Sequence, residues 1–192
     1  DVTFFSGGEK YENFSVLFNH DQLFNLLASF CQDEIIIYGE AYGGKCQGMR
    51  DTYGPELMFV AFEVKMNGSW LDVPLAESLV KYCKLEFVDY ARIKTLLPEI
   101  DAQRNRDSVQ AVRNGMGEGH KREGVVLRPI QETYDERGKR VITKHKNDEF
   151  METKTPRKVD PEKNKVLNEA KAIAEEWVTP MRLNHILDAA VQ

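Results

Sequence analysis

Two runs of β-branched residues separated by a polar loop constrain the fold of this chain more than any other feature. Residues 123–128 read Glu-Gly-Val-Val-Leu-Arg, and residues 141–146 read Val-Ile-Thr-Lys-His-Lys. The segment between them, 133–139, is mostly polar and contains Gly138. β-branched residues favour strands, whereas glycine and polar residues favour turns, so the pattern predicts two strands joined by a loop.

The second run carries two lysines where a buried strand would carry apolar residues. Strand alternation puts Lys144 and Lys146 on one face, roughly 6.6–7 Å apart along the strand. Two ammonium groups this close repel each other, so their partial burial is costly unless an anion lies between them. A phosphate fits that requirement, because lysine binds phosphate as a point charge. On these residues alone, the alternative is a solvated sheet edge whose lysines discourage aggregation.

Composition limits the possible partners and the compartment. The 192 residues suffice for one core with a small appendage, and the net charge of −5 provides no general basic field for nucleic acid. Any contact with nucleic acid therefore needs a local basic patch. Cys31, Cys46 and Cys83 are odd in number and form no Cys-x-x-Cys pair, which favours free thiols over disulfides or zinc. No apolar run reaches transmembrane length, so we expect a cytoplasmic protein.

The N-terminal third is predicted to alternate strands and helices. Residues 1–8 read as a strand ending in a Gly-Gly turn without an initiator methionine, so we expect a piece of a longer chain. Residues 21–31 have helical periodicity with Asp21 as the N-cap. Residues 34–40 form a strand that ends at Glu40, where a glycine-rich loop begins. A carboxylate in that position suits a ligand hydroxyl, although a solvated loop glutamate is the alternative.

The middle of the chain predicts a hairpin and short helices. Residues 57–66 form the longest candidate strand. Its predicted apolar face consists of Met58, Val60, Phe62, Val64 and Met66. Asn67-Gly68 is a strong hairpin signal. Short helices are predicted from Pro74 to Tyr82 and over 107–113, with a strand over 87–90.

The C-terminal residues predict a boundary followed by helices. Residues 151–161 are polar and include two prolines, and amphipathic periodicity begins at Asn164 and continues in a second helix over 181–191. The sequence therefore predicts an α+β domain over 1–158, with antiparallel sheets and flanking helices. Residues 159–192 are predicted to be a helical segment that begins a C-terminal domain.

Four charged landmarks follow one another along the chain. They are Tyr38-Gly39-Glu40, Phe62-Glu63, the run 123–128, and Lys144-x-Lys146. This ordered set resembles motifs III, IIIa, IV and V of the covalent nucleotidyltransferases, which are the DNA ligases, RNA ligases and mRNA capping enzymes. The resemblance is strongest to ATP-dependent RNA ligases of the type named for the second T-even phage RNA ligase. There motif V runs Lys-x-Lys-Asn-x-x-Phe, as residues 144–150 do, and the likeness covers roughly residues 33–154.

The resemblance implies a nucleotidyltransferase fold, similar to ATP-grasp domains, that binds ATP and holds its AMP part. By this likeness Glu40 would bind the ribose hydroxyls and Phe62 would stack on the adenine. Arg128 stands where the family often has a lysine and would contact the nucleotide or the RNA.

The resemblance also implies the catalytic groups. Glu123 would act near the α-phosphate and hold a hydrated Mg²⁺ or Mn²⁺, while Lys144 and Lys146 would neutralise charge in the transition state. In this family a lysine takes AMP from ATP and passes it to a 5′-phosphate RNA end, and a 3′-hydroxyl then displaces AMP. The expected partners are RNA ends, in a nicked duplex or as single strands, and the expected state is a monomer.

The sequence departs from the family pattern at the nucleophile. The family's lysine lies in a Lys-x-Asp/His/Asn-Gly motif upstream of these landmarks, and Gly7-Gly8 stands near the place of a further family arginine. Lys65 begins a formal match, but its Asn-Gly is better explained by the hairpin, and Lys45 begins a looser one. We therefore expect that the 192 residues alone do not self-adenylylate. A DNA ligase or capping-type enzyme, or a non-catalytic module that binds nucleotides or RNA ends, remains an alternative.

Overall fold

The computed structural model describes residues 1–29 and 34–150, together with four isolated helical positions, Val166, Glu169, Ala170 and Ala172. The chain divides into two compact units, 1–151 and 152–192. The helices predicted from Asn164 onward lie, apart from those four positions, outside the described residues. The domain boundary predicted after residue 158 stays a prediction.

The first unit is built from short helices and two antiparallel sheets. Its helices are α1 (Tyr11–Ser15), α2 (His20–Ala28), α3 (Arg50–Tyr53), α4 (Val73–Tyr82), α5 (Leu97–Arg104) and α6 (Val109–Arg113). Its strands are β1 (Ile35–Gly43), β2 (Leu57–Met66), β3 (Ser69–Trp70), β4 (Gly124–Leu127) and β5 (Thr143–Lys146). The predicted α+β class with antiparallel sheets and flanking helices is confirmed.

The larger sheet has the order β1-β2-β3, and the smaller one pairs β4 with β5. The predicted Asn-Gly hairpin joins β2 to β3, with φ of 50° at Asn67 and 80° at Gly68. Both values lie in the left-handed region that a two-residue hairpin needs. The pair β4–β5, which we call the ribbon, confirms the two strands predicted over 123–128 and 141–146, although both are shorter than predicted.

A β-bulge in β2 changes which side chains reach the core. Tyr38 pairs with Glu63, but Gly39 pairs with Ala61, so Phe62 is the extra residue. The side-chain alternation therefore reverses at this point. The core receives Ala61 and Val64, both fully buried, with Phe59 and Met66 packed against them. The predicted single apolar face through Phe62 is wrong.

Helix α4 covers the core face of this sheet. It starts at Val73 with Pro74 in its first turn, as predicted, and contributes Leu79 and Val80, which are 3% and 0% exposed. On the sheet side, a Cβ at Gly39 would lie 2.2 Å from the Phe59 ring. Glycine at this position thus lets the Phe59 ring pack directly over β1.

Three local predictions are corrected. Residues 1–6 do not form a strand, since Phe4 instead stacks on Phe18 with ring centroids 4.8 Å apart. The N-cap of α2 is Asn19 rather than Asp21, and its side chain accepts a hydrogen bond from the Gln22 amide at 2.9 Å. In place of the strand predicted over 87–90, a single parallel bridge pairs Ala61 with Phe87.

An ion-pair cluster, which we call the joint, connects β2 to the ribbon. Glu63 of β2 accepts hydrogen bonds from Arg128 at 2.8 Å and from Arg140 at 2.7 Å. Glu132 also pairs with Arg140, whose guanidinium lies 4.0 Å from the centre of the Trp70 ring. The four charged side chains are only 12–15% exposed, so they are weakly screened by solvent.

Within the described residues, no helix combines the length and the apolar content that crossing a membrane requires.

We predict that Glu63→Gln destabilises the protein by about 3 kcal/mol, because it leaves two little-exposed guanidinium groups with one carboxylate fewer. Chemical denaturation of the variant measures this loss. Glu149→Gln is the matched control, since it removes a carboxylate that is 60% exposed and pairs with Lys121. That change is expected to cost less than about 1 kcal/mol. Equal losses in the two variants would contradict a structural role for the joint.

Candidate active site

Glu123, which precedes β4, and Lys146, at the end of β5, form an ion pair. The Oε1 atom of Glu123 lies 3.1 Å from Nζ of Lys146. Glu123 stands just before β4, and its carbonyl accepts the Asn147 amide at 2.7 Å. Because Glu123 lies outside the regular strand, its side chain reaches the Lys146 face despite its position next to Gly124. Glu123 and Lys146, which the resemblance assigns to the same phosphate, are therefore in contact.

The two lysines of β5 point to the same face of the ribbon. Lys146 pairs with Gly124 and Lys144 with Val126, while His145 between them pairs with Val125. Lys144 makes no ion pair with any carboxylate that the structure describes, so its charge is available to a ligand. Val126, opposite Lys144, is 56% exposed and adds apolar surface to this face.

Close backbone packing holds Lys146 in place. A Cβ built at Gly124 would lie 2.5 Å from the His145 carbonyl oxygen and 2.8 Å from the Lys146 Cα. Any larger residue at position 124 would push β5 away and shift the lysine. On the opposite face, the Nε2–H of His145 donates to Asp101 of α5 at 2.7 Å, which ties β5 to that helix.

Glu40 belongs to the larger sheet and lines a cleft of about 360 Å³. It lies inside β1, which continues to Gly43, rather than at the strand end that the sequence predicted. The cleft is bounded by segment 5–9, by Phe14, by segment 39–41 and by segment 45–47. Its lining includes Gly7 and Gly8.

Electrostatics link Glu40 to the ribbon. Loss of solvent around the side chain raises the pKa of Glu40, the nearby Glu123 carboxylate raises that pKa further, and Lys144 acts in the opposite direction. The charges of Glu123 and Lys144 thus act on the Glu40 carboxylate, although it comes from the other sheet. Lys146 is linked to this group through its ion pair with Glu123.

Phe62 and Arg128, the other predicted nucleotide contacts, lie in different surroundings. Phe62 occupies the bulge of β2 and is 37% exposed, so its ring is accessible to a ligand. Arg128 is 12% exposed and forms an ion pair with Glu63 in the joint. Among the described contacts, its guanidinium is thus held by carboxylates of the protein, and its role toward the nucleotide stays a prediction.

Several residues at the site were not assigned a role from the sequence. Asn147 is 8% exposed and fixes the Glu123 backbone, while Asp101 holds His145. The Lys-x-Lys-Asn run contained the signal for Asn147, but nothing local indicated Asp101, which is distant in sequence. Tyr53 of α3 also lies near the site. Burial raises the pKa of its phenol, and the charges of Glu40 and Glu123 raise that pKa further.

The donor set for a metal ion is small. Among the described side chains, no group of three or more histidine, cysteine, aspartate or glutamate residues is placed to hold an ion. Glu123 is 55% exposed and offers one carboxylate, which suits a hydrated Mg²⁺ that keeps most of its waters and takes other oxygens from phosphate.

Comparison with known proteins identifies the family. The sequence profile of a family described as RNA ligase matches residues 6–146. The chain belongs to the RNA ligase family. The match contains Glu40, Phe62, Glu123 and both lysines of the ribbon, so the candidate site lies within the part of the chain that defines the family. A search of curated proteins found no match. Within the RNA ligase family, the predicted phage-type subgroup stays a prediction.

We predict that Glu40→Gln stabilises the unliganded RNA ligase domain at neutral pH. The folded-state pKa of Glu40 is raised, so its ionised form opposes folding above the pKa of the unfolded chain. The variant removes that penalty, and its advantage should disappear at acid pH, where the wild-type carboxyl is protonated in both states. Melting temperatures of the two proteins across a pH series measure the effect. A variant less stable than the wild type at every pH would contradict it.

Proposed function

We propose that this RNA ligase uses ATP to join 5′-phosphate and 3′-hydroxyl RNA ends, as the phage-type ligases that it resembles do. The contact between Glu123 and Lys146, with Lys144 on the same face, carries this proposal. On this face Glu123 pairs with Lys146, which leaves the ammonium group of Lys144 for the phosphate of a nucleotide.

Glu40 and Phe62 are proposed to hold the adenosine. The carboxylate of Glu40 lines the cleft and would accept hydrogen bonds from the ribose hydroxyls. The exposed ring of Phe62 would offer its face to the adenine. Because Glu40 shares its electrostatic environment with Lys144, a ribose at Glu40 would bring the α-phosphate toward the lysines.

The proposed chemistry is three phosphoryl transfers. A lysine amine forms a bond to the α-phosphorus of ATP as pyrophosphate leaves. The 5′-phosphate oxygen of RNA then attacks that phosphorus and releases the lysine. Finally the RNA 3′-hydroxyl loses its proton and attacks the 5′-phosphorus, and AMP leaves. Lys144 and Lys146 would stabilise negative charge on the phosphate oxygens at each step.

Glu123 would act on the same phosphate from the acidic side. It orients Lys146 through their ion pair, and its exposed carboxylate would hold a hydrated divalent metal ion. Such an ion, when bound, would neutralise charge on the phosphate oxygens. Arg128 is proposed to support this arrangement through the joint, since its contact with Glu63 ties the end of β4 to β2.

We predict that the 192-residue chain gains no AMP when incubated with ATP and Mg²⁺ or Mn²⁺. Lys65 lies with its Nζ 5.7 Å from the centre of the Trp70 ring, and its Asn-Gly sequence forms the hairpin. Lys45 lies in the loop that lines the cleft, but it begins only a looser match to the motif of the nucleophile. Intact-mass spectrometry measures the adduct. A mass gain of one AMP, mapped to either lysine, would contradict this prediction.

In a protein that also contains the upstream motif lysine, Glu123→Ala and Lys146→Ala should each reduce RNA sealing by at least about 100-fold. Each change removes one partner of the contact on which the proposal rests. Melting curves should stay close to that of the wild type, because both side chains are partly exposed. Near-normal sealing by either variant would contradict the site.

A comparison of substrates separates this proposal from a DNA ligase or a capping enzyme. Sealing of nicked RNA–DNA hybrids is compared with sealing of nicked DNA, and ATP is compared with GTP.

A further inference from the structure

Arg106 and Arg122 come from two neighbouring backbone segments, and Arg122 directly precedes Glu123. Asp107 and Lys121 form an antiparallel bridge, and the Ser108 amide donates to the His120 carbonyl at 2.7 Å. The register of this bridge brings Arg106, the residue before Asp107, opposite Arg122, the residue after Lys121. Residues directly opposite each other in such a ladder have Cβ atoms about 5 Å apart. The side chains of Arg106 and Arg122 therefore leave the backbone at neighbouring positions.

Their charges are not neutralised by ion pairs. Nη1 of Arg106 donates to the Gln103 side chain at 3.1 Å, and Nη2 of Arg122 donates to the Asp107 carbonyl at 3.3 Å. Neither side chain pairs with a carboxylate in the part of the chain that the structure describes. By contrast, Arg113 pairs with both Glu86 and Asp89.

The cost of this arrangement is visible in Arg122. Its side chain is half-buried, and the pKa of its guanidinium is lowered by loss of solvent and then by the charge of Arg106, although Asp89 and Tyr53 act in the opposite direction. Like charges on opposite positions of a ladder destabilise it, so the fold maintains the pair against repulsion. An anion bound between the two groups would relieve that repulsion.

The pair is next to the candidate active site. Arg122 directly precedes Glu123, whose carboxylate contacts Lys146. Tyr53 lies within the electrostatic influence of Glu40, Glu123 and Arg122 together. Arg122 therefore belongs to the same electrostatic surroundings as Glu40 and Glu123.

We propose that Arg106 and Arg122 together bind a phosphate group of the substrate beside the one held by Lys144 and Lys146; this inference rests on the proposed function of that site. The guanidinium fork matches phosphate oxygens in a bidentate geometry that lysine does not offer. The phosphate comes either from the RNA backbone or from the polyphosphate tail of ATP, and the chemistry of recognition is the same for both.

The test measures binding to the 192-residue chain, which requires no catalysis. Fluorescence anisotropy with a short 5′-phosphorylated single-stranded RNA, over a salt series, gives the affinity and its salt dependence. In the second arm of the test, titration with ATP gives the affinity of the chain for ATP. The variants are Arg106→Ala, Arg122→Ala and the double variant. Arg137→Ala is the matched control, because it removes one arginine from the loop between Thr133 and Lys139.

For an RNA phosphate, the double variant should lose at least about tenfold in RNA affinity and keep its ATP affinity. The slope of log K against log salt should fall by about 0.7 for each arginine removed. For the tail of ATP, the loss should appear with ATP and not with RNA. Either pattern, with Arg137→Ala unchanged, supports the pair as a phosphate site and identifies the source of the phosphate.

Three results would overturn the proposal. They are equal losses in the double variant and in Arg137→Ala, no loss in either arm, or no binding of RNA or ATP by the wild type. If the alanine variants do not fold, Arg106→Lys and Arg122→Lys keep the charge and remove the fork, and unchanged affinity in both would overturn it equally. Failure to seal RNA by a protein that also contains the upstream motif lysine, with the arginine-dependent binding intact, would instead contradict the proposed function.

Discussion

The arrangement of the candidate site depends on the contacts of Glu63 with Arg128 and Arg140. Glu40 and Phe62 come from the larger sheet, whereas Glu123, Lys144 and Lys146 come from the ribbon. Glu63 lies on β2, one residue from Phe62, and its two arginines flank the ribbon strands. Because these side chains are largely excluded from solvent, their attraction is stronger than that of a surface pair. The joint therefore fixes one sheet relative to the other at the place where both contribute to the site.

Backbone geometry determines which side chains of β2 and β5 face the candidate site. The bulge at Phe62 exchanges the two faces of β2, so that the core keeps Ala61 and Val64 while Phe62 stays accessible. Gly124 lets β4 and β5 approach closely enough to hold Lys146 beside Glu123. In the resulting cluster Glu123 repels the Glu40 carboxylate, and the ammonium group of Lys144 forms no ion pair with any carboxylate of the described residues. Such uncompensated charges cost stability in the free protein and are typical of sites that bind a charged ligand.

Much of this was accessible from the sequence, for identifiable reasons. The ribbon strands and the Asn-Gly hairpin follow from local preferences, which need no knowledge of distant residues. The resemblance assigned Glu123 and both lysines to the same phosphate, but the ion pair between Glu123 and Lys146 was not predicted. The bulge was not accessible, because strict alternation placed Phe62 in the core and only pairing with β1 reveals the extra residue. The joint was also missed, since Glu63, Arg128 and Arg140 are far apart in sequence and Arg128 alone suggested a nucleotide contact.

The most direct test of the account is diffraction from crystals of the protein grown with AMP. We predict that the α-phosphate of AMP lies within hydrogen-bond distance of Nζ of Lys144 and Lys146, and that its ribose hydroxyls donate to the carboxylate of Glu40. Such a structure would show one ligand bridging the larger sheet and the ribbon. AMP bound elsewhere, or a ribose at Glu40 with its phosphate directed away from both lysines, would contradict the claim that the two sheets form a single nucleotide site.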